Sequence, residues 1–315
     1  MFPALMTASA SRALPAIPAM GLVTLIWGGN FTVSKFALSH LPVLPFSAVR
    51  FLLASILLWA IVALVEPPSR LPRPAFWRLV GLGVIGNTLY QVAFMTGLTM
   101  TTATNSSLLV ASTPMAVVLL GTVLGIERPT GAVWVAVLLG TAGVGLIVLS
   151  RGGGAAFGSA TVVGDLLTFG AVLCWAIFTI GVRSLHADIT PLRLTAIATT
   201  AGMPGLVLLS LPQLPAVDWV ALPWPVWAAI GYASVLSIVL AYILWNAMVR
   251  QVGSSRTALL GMMVPLWAAL IAAVALGERP TMVQAAGAVL IAGSVLVSRM
   301  GQPAPVLVTE DEAAS

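Results

Sequence analysis

The sequence predicts an all-α integral membrane protein of ten transmembrane helices, built as two inverted five-helix repeats. Three observations predict it. Charged residues make up 7% of the 315 residues and hydrophobic ones 59%, whereas a soluble globule carries roughly 25% charged residues to wet its surface; the mean hydropathy is +1.06. Ten apolar runs, each near the ~20 residues that cross a bilayer as a helix, follow one another along the chain. Landmarks recur at fixed spacing in the two halves.

Punctuation by Pro, Gly and charge places the runs at 17–39, 43–65, 76–98, 103–125, 130–150, 163–185, 191–211, 224–249, 257–277 and 281–300. They are continuous rather than alternating, which excludes membrane strands. Residues 1–16 form a short segment ahead of the first repeat (17–150). The Gly152–Gly154 stretch links it to the second (163–300), and residues 301–315 form an acidic tail (Glu310, Asp311, Glu312) expected to be disordered. The first run lacks a separate cleavable core and reads as a retained span.

The same composition excludes other classes. The 14 Lys+Arg against 9 Asp+Glu are scattered, with no basic cluster interleaved with aromatics, so nucleic acid is not an expected partner. One cysteine, Cys174, permits no disulfide framework. His40 and His186 stand too far apart in sequence to suggest a zinc pair, and no metal or cofactor is expected. With the N-terminus inside, the inner gaps collect Arg12, Arg70, Arg73, Arg78, Arg128, Arg183, Arg193, Arg250, Arg256 and Arg299, against Lys35, Arg50, Arg151 and Arg279 outside. This excess puts both termini in the cytoplasm.

The repeat is read from two spacings. Pro114 precedes Glu127-Arg128-Pro129-Thr130 by 13 residues, and Pro265 precedes Glu278-Arg279-Pro280-Thr281 by 13, an offset of 151 shared by Leu108-Leu109 and Leu259-Leu260. Trp27 precedes Lys35 by eight residues and Trp175 precedes Arg183 by eight, an offset of 148. Five spans per copy is an odd number, so the second copy enters from the opposite face. Such pairs rock about a midplane site, the arrangement of secondary transporters.

Trp27-Gly28-Gly29-Asn30-Phe31, Phe46 to Arg50 followed by Phe51, the doubled Glu-Arg-Pro-Thr, and Gly164-Asp165-Leu166 leading to Cys174-Trp175 resemble the EamA branch of the drug/metabolite transporter superfamily, over residues 17 to 300. The resemblance implies ten helices, cytoplasmic termini, two inverted repeats and export of small metabolites, often amino acids, through a cavity lined by spans 1, 3, 4, 6, 8 and 9. The proline of each Glu-Arg-Pro-Thr stands where an aliphatic residue is usual, and those loops are given no substrate role.

Candidate substrate-binding residues are polar and aromatic groups at helical spacing inside the hydrocarbon. Asn87, Tyr90, Gln91 and Phe94 share one face of span 3; Ser234, Ile238, Tyr242 and Trp245, with Asn246 beside them, share one of span 8. The 151 offset lays Gln91 on Tyr242 and Phe94 on Trp245. Facing lipid, such amides would leave donors and acceptors unpaired, so they line a cavity or bond between helices. Trp27 and Asn30 in span 1 and Trp175 in span 6 lie about 15 Å deep by helical rise, and Trp267 lies within a turn of Pro265. Trp219, Trp224 and Trp227 fit an interfacial belt instead. Pro114 and Pro265 interrupt spans 4 and 9 as hinges or static kinks. Arg50, some seven residues into span 2, is read as architecture rather than substrate contact. Small residues in spans 5 and 10 (Gly140, Gly143, Gly287, Gly293) make them packing struts.

No Asp or Glu falls mid-span, so the expectation is uncoupled export or weak coupling. These features point to an exporter of small metabolites, amino acids first, in a bacterial inner membrane. The alternatives are a drug, purine or sugar-like cargo, or an intramembrane lipid-modifying enzyme, for which no clustered nucleophile, base or metal ligands exist.

Overall fold

The computed structural model describes residues 15–68, 71–101, 109–110, 112–149, 162–185, 189–264, 266–267, 270–271 and 281–300. Pro265, Glu278 to Pro280, residues 1–14, the Gly152–Gly154 link and the acidic tail lie outside them. The described elements are all helical: α1 (Ala16–Leu38), α2 (Val43–Val65), α3, α4 (Thr113–Val123), α5 (Gly131–Leu149), α6 (Val162–Arg183), α7 (Pro191–Ser210), α8, α9 (Ser254–Gly261) and α10 (Met282–Met300). α3 comprises Arg73–Gly83, a π-helical stretch Val84–Leu89 and Tyr90–Met100; α8 comprises Trp224–Gly231, a π-helical stretch Tyr232–Leu240 and Ala241–Val252. Six helices (α1, α2, α3, α6, α7 and α8) are long and apolar enough to cross a bilayer, and the chain is a multi-pass membrane protein. Large apolar side chains stand outward on its surface, among them Ile56, Leu64, Leu138 and Val289, as a lipid-facing exterior requires.

Helix starts follow proline chemistry. Pro42, Pro72 and Pro223 occupy the cap positions of α2, α3 and α8, where an absent N–H costs no intrahelical bond. Thr190 caps α7 by accepting from the Arg193 N–H at 3.1 Å.

Helices from the two halves pack antiparallel. Along α2 and α7, Trp59 Nε1 donates to Thr200 at 2.9 Å, while at the other end Glu66 pairs with Arg193 at 3.1 Å and accepts from Thr190. Along α5 and α10, Gly143 lies against Gly287, Leu290 and Ile291, and Gly140 against Ser294. α3 runs beside α6 and α8 beside α1 in the same sense-reversed way: Arg78 reaches Ser184 while Gly97 meets Thr168, and Ala37 packs with Val226 while Met20 and Val23 join Ala241 to Met248. The main apolar core draws on α1, α2, α3, α6, α7 and α8. A second core (Val118, Val133, Ala136, Val137, Val144, Leu259, Met262, Ile291) joins α4, α5, α9 and α10.

α4 and α9 break at equivalent places. Ser112 N donates to Leu109 O and Ala116 N to Ser112 O; 151 residues on, Met263 N donates to Leu260 O and Trp267 N to Met263 O. Pro114 therefore sits in the first turn of a restarted helix rather than removing a bond from a continuous one.

One end of the bundle gathers arginine. Arg183 donates to the Arg250 carbonyl, and Arg78 and the Glu66–Arg193 pair stand there too. Glu127 accepts from the Ser254 and Ser255 backbone N–H groups and from Ser255 Oγ, closing the α8–α9 corner where Gly253 adopts φ +95°, a conformation reserved for glycine. A cavity of about 280 Å³ opens beside it, lined by Arg128, Arg183 and Arg256 with Glu127.

α3 approaches α7 at backbone contact: a Cβ on Gly83 would lie 2.4 Å from the Ala198 carbonyl oxygen and 2.8 Å from its Cα, whereas one on Gly81 would meet nothing within 4 Å. We expect Gly83→Ala to destabilise by ~1–3 kcal/mol through forced separation of these helices, and Gly81→Ala to melt at or above the parent temperature. Thermal unfolding of both in nanodiscs checks this, and equal melting would refute the backbone contact.

Candidate functional site

Five of the aromatic side chains expected at the site meet at mid-depth. Trp27 from α1 lies 6.0 Å from Trp175, 6.0 Å from Tyr242 and 5.1 Å from Trp245, ring centre to ring centre. Trp175 from α6 is the hub, 5.3 Å from Tyr90, 5.6 Å from both Tyr242 and Trp245, and 5.4 Å from Phe178. Phe94 stacks on Tyr90 at 5.9 Å. The rings cross mostly edge-to-face or tilted, the arrangements aromatic quadrupoles favour.

The wide turns of α3 and α8 flank this cluster. A π-helical stretch shifts hydrogen bonding to i→i+5 and changes which residues share a face. In α8, Ser237 lies within that stretch, and its carbonyl accepts from Trp27 Nε1 at 3.0 Å. Tyr232, at its start, donates to the Ile26 carbonyl at 2.9 Å. These two bonds tie α1 to α8, the first through a ring of the cluster itself. Ser234, expected on the Tyr242 face from an α-helical register, bonds back to Ile230 instead.

Three expected residues lie apart from the cluster. Asn87, in the π-helical stretch of α3, donates its amide to the Ala198 carbonyl at 2.9 Å, and Asn246 donates to Thr195 at 2.9 Å. Both amides are turned to α7 and act there as interhelical hydrogen bonds. Trp267 donates to Thr24 on α1 at 3.1 Å. Gln91 is buried, and Asn30 keeps a buried Oδ1 without a partner. Trp245 Nε1 is likewise buried and unpartnered, a donor held ready next to the rings at the cost of desolvation.

One ring escaped the sequence reading. Phe178, one turn after Trp175, was detectable from the i+3 spacing alone. Arg50, placed there as architecture, proves buried at 6% exposure. Its guanidinium lies over the rings of Phe46 and Phe51 at 5.1 and 5.7 Å and within electrostatic reach of Tyr242 and Tyr90. Among the described residues, Asp165, Glu66, Glu127 and Asp218 all stand at helix ends or in loops, and none reaches the rings. Asp165 is engaged by the Thr101 hydroxyl.

An apolar, multi-helix membrane bundle with clustered buried aromatics and amides bonded between helices defines a polytopic membrane protein. The family pattern of the EamA-like transporter family matches residues 14–149 and again 162–300, and the chain belongs to that family. An uncharacterized transporter of Archaeoglobus fulgidus is 33% identical over 280 residues, covering 89% of this chain and 96% of its own. A probable terminal-alkyne amino-acid exporter of Streptantibioticus cattleyicolor is 29% identical over 291 residues, covering 90% and 93%. A solved crystal structure superposes with a TM-score of 0.74 at 19% identity, over 90% of this chain and 96% of that one, a likeness of fold.

Proposed function

We propose that the chain exports small metabolites, amino acids first, across a bacterial inner membrane by alternating access of two inverted five-helix repeats, residues 17–150 and 163–300. The observation that carries the reading is the aromatic site itself: Trp27 and Tyr90 from the first repeat interlock with Trp175, Tyr242 and Trp245 from the second, so a relative rotation of the repeats must part these rings. Antiparallel packing of α2 with α7 and of α5 with α10 supports the inversion, as do the equivalent breaks in α4 and α9. These breaks make the Pro114 and Pro265 segments the hinges. The arginine-rich end faces the cytoplasm under the positive-inside rule. The amino-acid reading draws on the printed name of the Streptantibioticus relative and on the chemistry of the site. Phenol and indole donors there suit a zwitterion's carboxylate, and ring faces suit an ammonium or flat side chain. With every described carboxylate remote from the rings, export is uncoupled or weakly coupled.

Counter-flow of labelled amino acids in proteoliposomes tests it. Tyr242→Ala and Gln91→Ala are expected to cut flux roughly tenfold or more, ~1.4 kcal/mol of lost stabilisation, with folding intact. Unchanged flux in both removes the site. Saturable uptake driven by a pH gradient would replace uncoupled export with proton coupling. Cysteines at positions 127 and 278 that label from the same side of the membrane would remove the inversion.

A further inference from the structure

Among the described residues, Arg50 is a buried cation without a counter-charge. It sits on α2 with 6% of its surface exposed, and its Nε has no partner. Among the described residues it forms no hydrogen bond or ion pair, only ring contacts with Phe46 and Phe51. Phe46 lies one turn nearer the helix end than Arg50 and covers the route along which an arginine so placed would extend to the membrane surface. Interior ions are ordinarily paired or absent, because desolvation is not recovered without a partner.

Groups able to donate stand within electrostatic reach of Arg50. They are the hydroxyls of Tyr242 and Tyr90. Phe51, under the guanidinium, belongs to the same apolar core as Trp175 and Tyr242, with Tyr90 packed against it, so a guanidinium and two phenols, each able to donate, stand on one core. Such a set is complementary to an anion. One positive charge matches a monoanion, and a planar guanidinium matches a carboxylate's two oxygens; a phosphate would bring charge that a single arginine leaves uncompensated. The repeat supplies no second cation: 148 to 151 residues further on stand Ala198, Thr199, Thr200 and Ala201.

We infer that Arg50, with the hydroxyls of Tyr90 and Tyr242, is the anion subsite of the central site, and that the molecule carried has a single carboxylate. This rests on the transport reading and narrows it: the substrate class is carboxylates, and the subsite belongs to one repeat only.

The test is binding, measured separately from flux. The full chain in nanodiscs is melted with a panel of L-amino acids, each beside its α-amide, which keeps the amine and side chain but removes the negative charge. At least one acid is expected to raise the melting temperature and to bind tenfold or more tightly than its amide. In Arg50→Gln that preference is expected to vanish, while the ligand-free protein melts no lower than the parent because an uncompensated charge has been removed. Arg50→Lys, which keeps the charge without the planar fork, is expected to retain a weakened preference, and it decides the matter should Arg50→Gln fail to fold.

The inference is overturned if no acid in the panel stabilises the parent, if acid and amide stabilise it equally, or if Arg50→Gln keeps the acid preference. An Arg50→Gln protein that melts lower than the parent, by the same margin with and without acid, assigns the arginine a structural role and also overturns it. Flux separates the two readings. Export without acid-over-amide preference keeps transport and discards the subsite; Arg50-dependent carboxylate binding without movement keeps the subsite and discards transport.

Discussion

Replacing Trp175 by alanine is expected to be the most disruptive single change in the membrane interior. Its indole touches Trp27, Tyr90, Phe178, Tyr242 and Trp245 at centroid distances of 5.3 to 6.0 Å, so five rings from four helices lose a common neighbour at once. Truncation of a buried Trp costs ~3–5 kcal/mol, because the lost contacts are compounded by a cavity that the surroundings fill only in part. Dispersion contacts carry helix association in lipid, where apolar burial adds no drive, so the loss is not offset by solvation. Trp175→Phe keeps a ring and should recover more than half of it. Thermal or SDS-induced unfolding in nanodiscs reads both. Equal stability of the alanine and phenylalanine proteins would mean that the hub is not a packing centre.

The second large effect is expected at the Glu66–Arg193 pair. Both side chains are at least nine-tenths buried, 3.1 Å apart. Glu66 also accepts from Thr190, and Arg193 donates to the Pro67 carbonyl at 2.8 Å. Removing one partner strands the other charge, which costs ~3–5 kcal/mol, whereas replacing both by apolar residues of similar volume is near neutral or better. Glu66→Leu and Arg193→Met should each destabilise strongly, and the double variant should regain most of the loss. Additive losses in the double variant would show that the pair carries no coupling and that α2 and α7 are held by their apolar contacts alone.

Much of this fold was legible because hydrophobicity and proline placement speak directly about membrane helices. Val43–Val65 falls on its expected bounds, and α7 starts at Pro191 as expected, since Pro42, Thr190 and Pro191 carry the start signals in the local sequence. The 151 spacing of Pro114 and Pro265 anticipated the matched breaks in α4 and α9, though it gave no sign that the chain turns just before Pro114 and restarts. The wide turns of α3 and α8 were illegible: nothing in Val84–Leu89 or Tyr232–Leu240 differs in composition from an ordinary apolar helix. They begin 148 residues apart, Val84 to Tyr232, and end 151 apart, Leu89 to Leu240, the same two spacings that mark the repeat.

At the site, periodicity found the rings because Trp and Tyr deep in a span must pack somewhere inside. It could not tell Tyr90 from Asn87, since the direction each takes depends on α7, more than 100 residues away, whose Ala198 carbonyl accepts from the Asn87 amide. That Arg50 lies buried and unpaired among the described residues was illegible for the same reason. Its isolation is a property of what other helices fail to bring near it, and no local pattern records that.

The two apolar cores do not respect the boundary between the halves of the chain. One takes α1, α2 and α3 together with α6, α7, α8 and Leu260 of α9; the other takes α4 and α5 together with α9 and α10. A polypeptide ending after α5 would therefore complete neither of them. Under the proposed inversion, a single copy could complete them only by pairing with a twin threaded through the bilayer in the reverse sense.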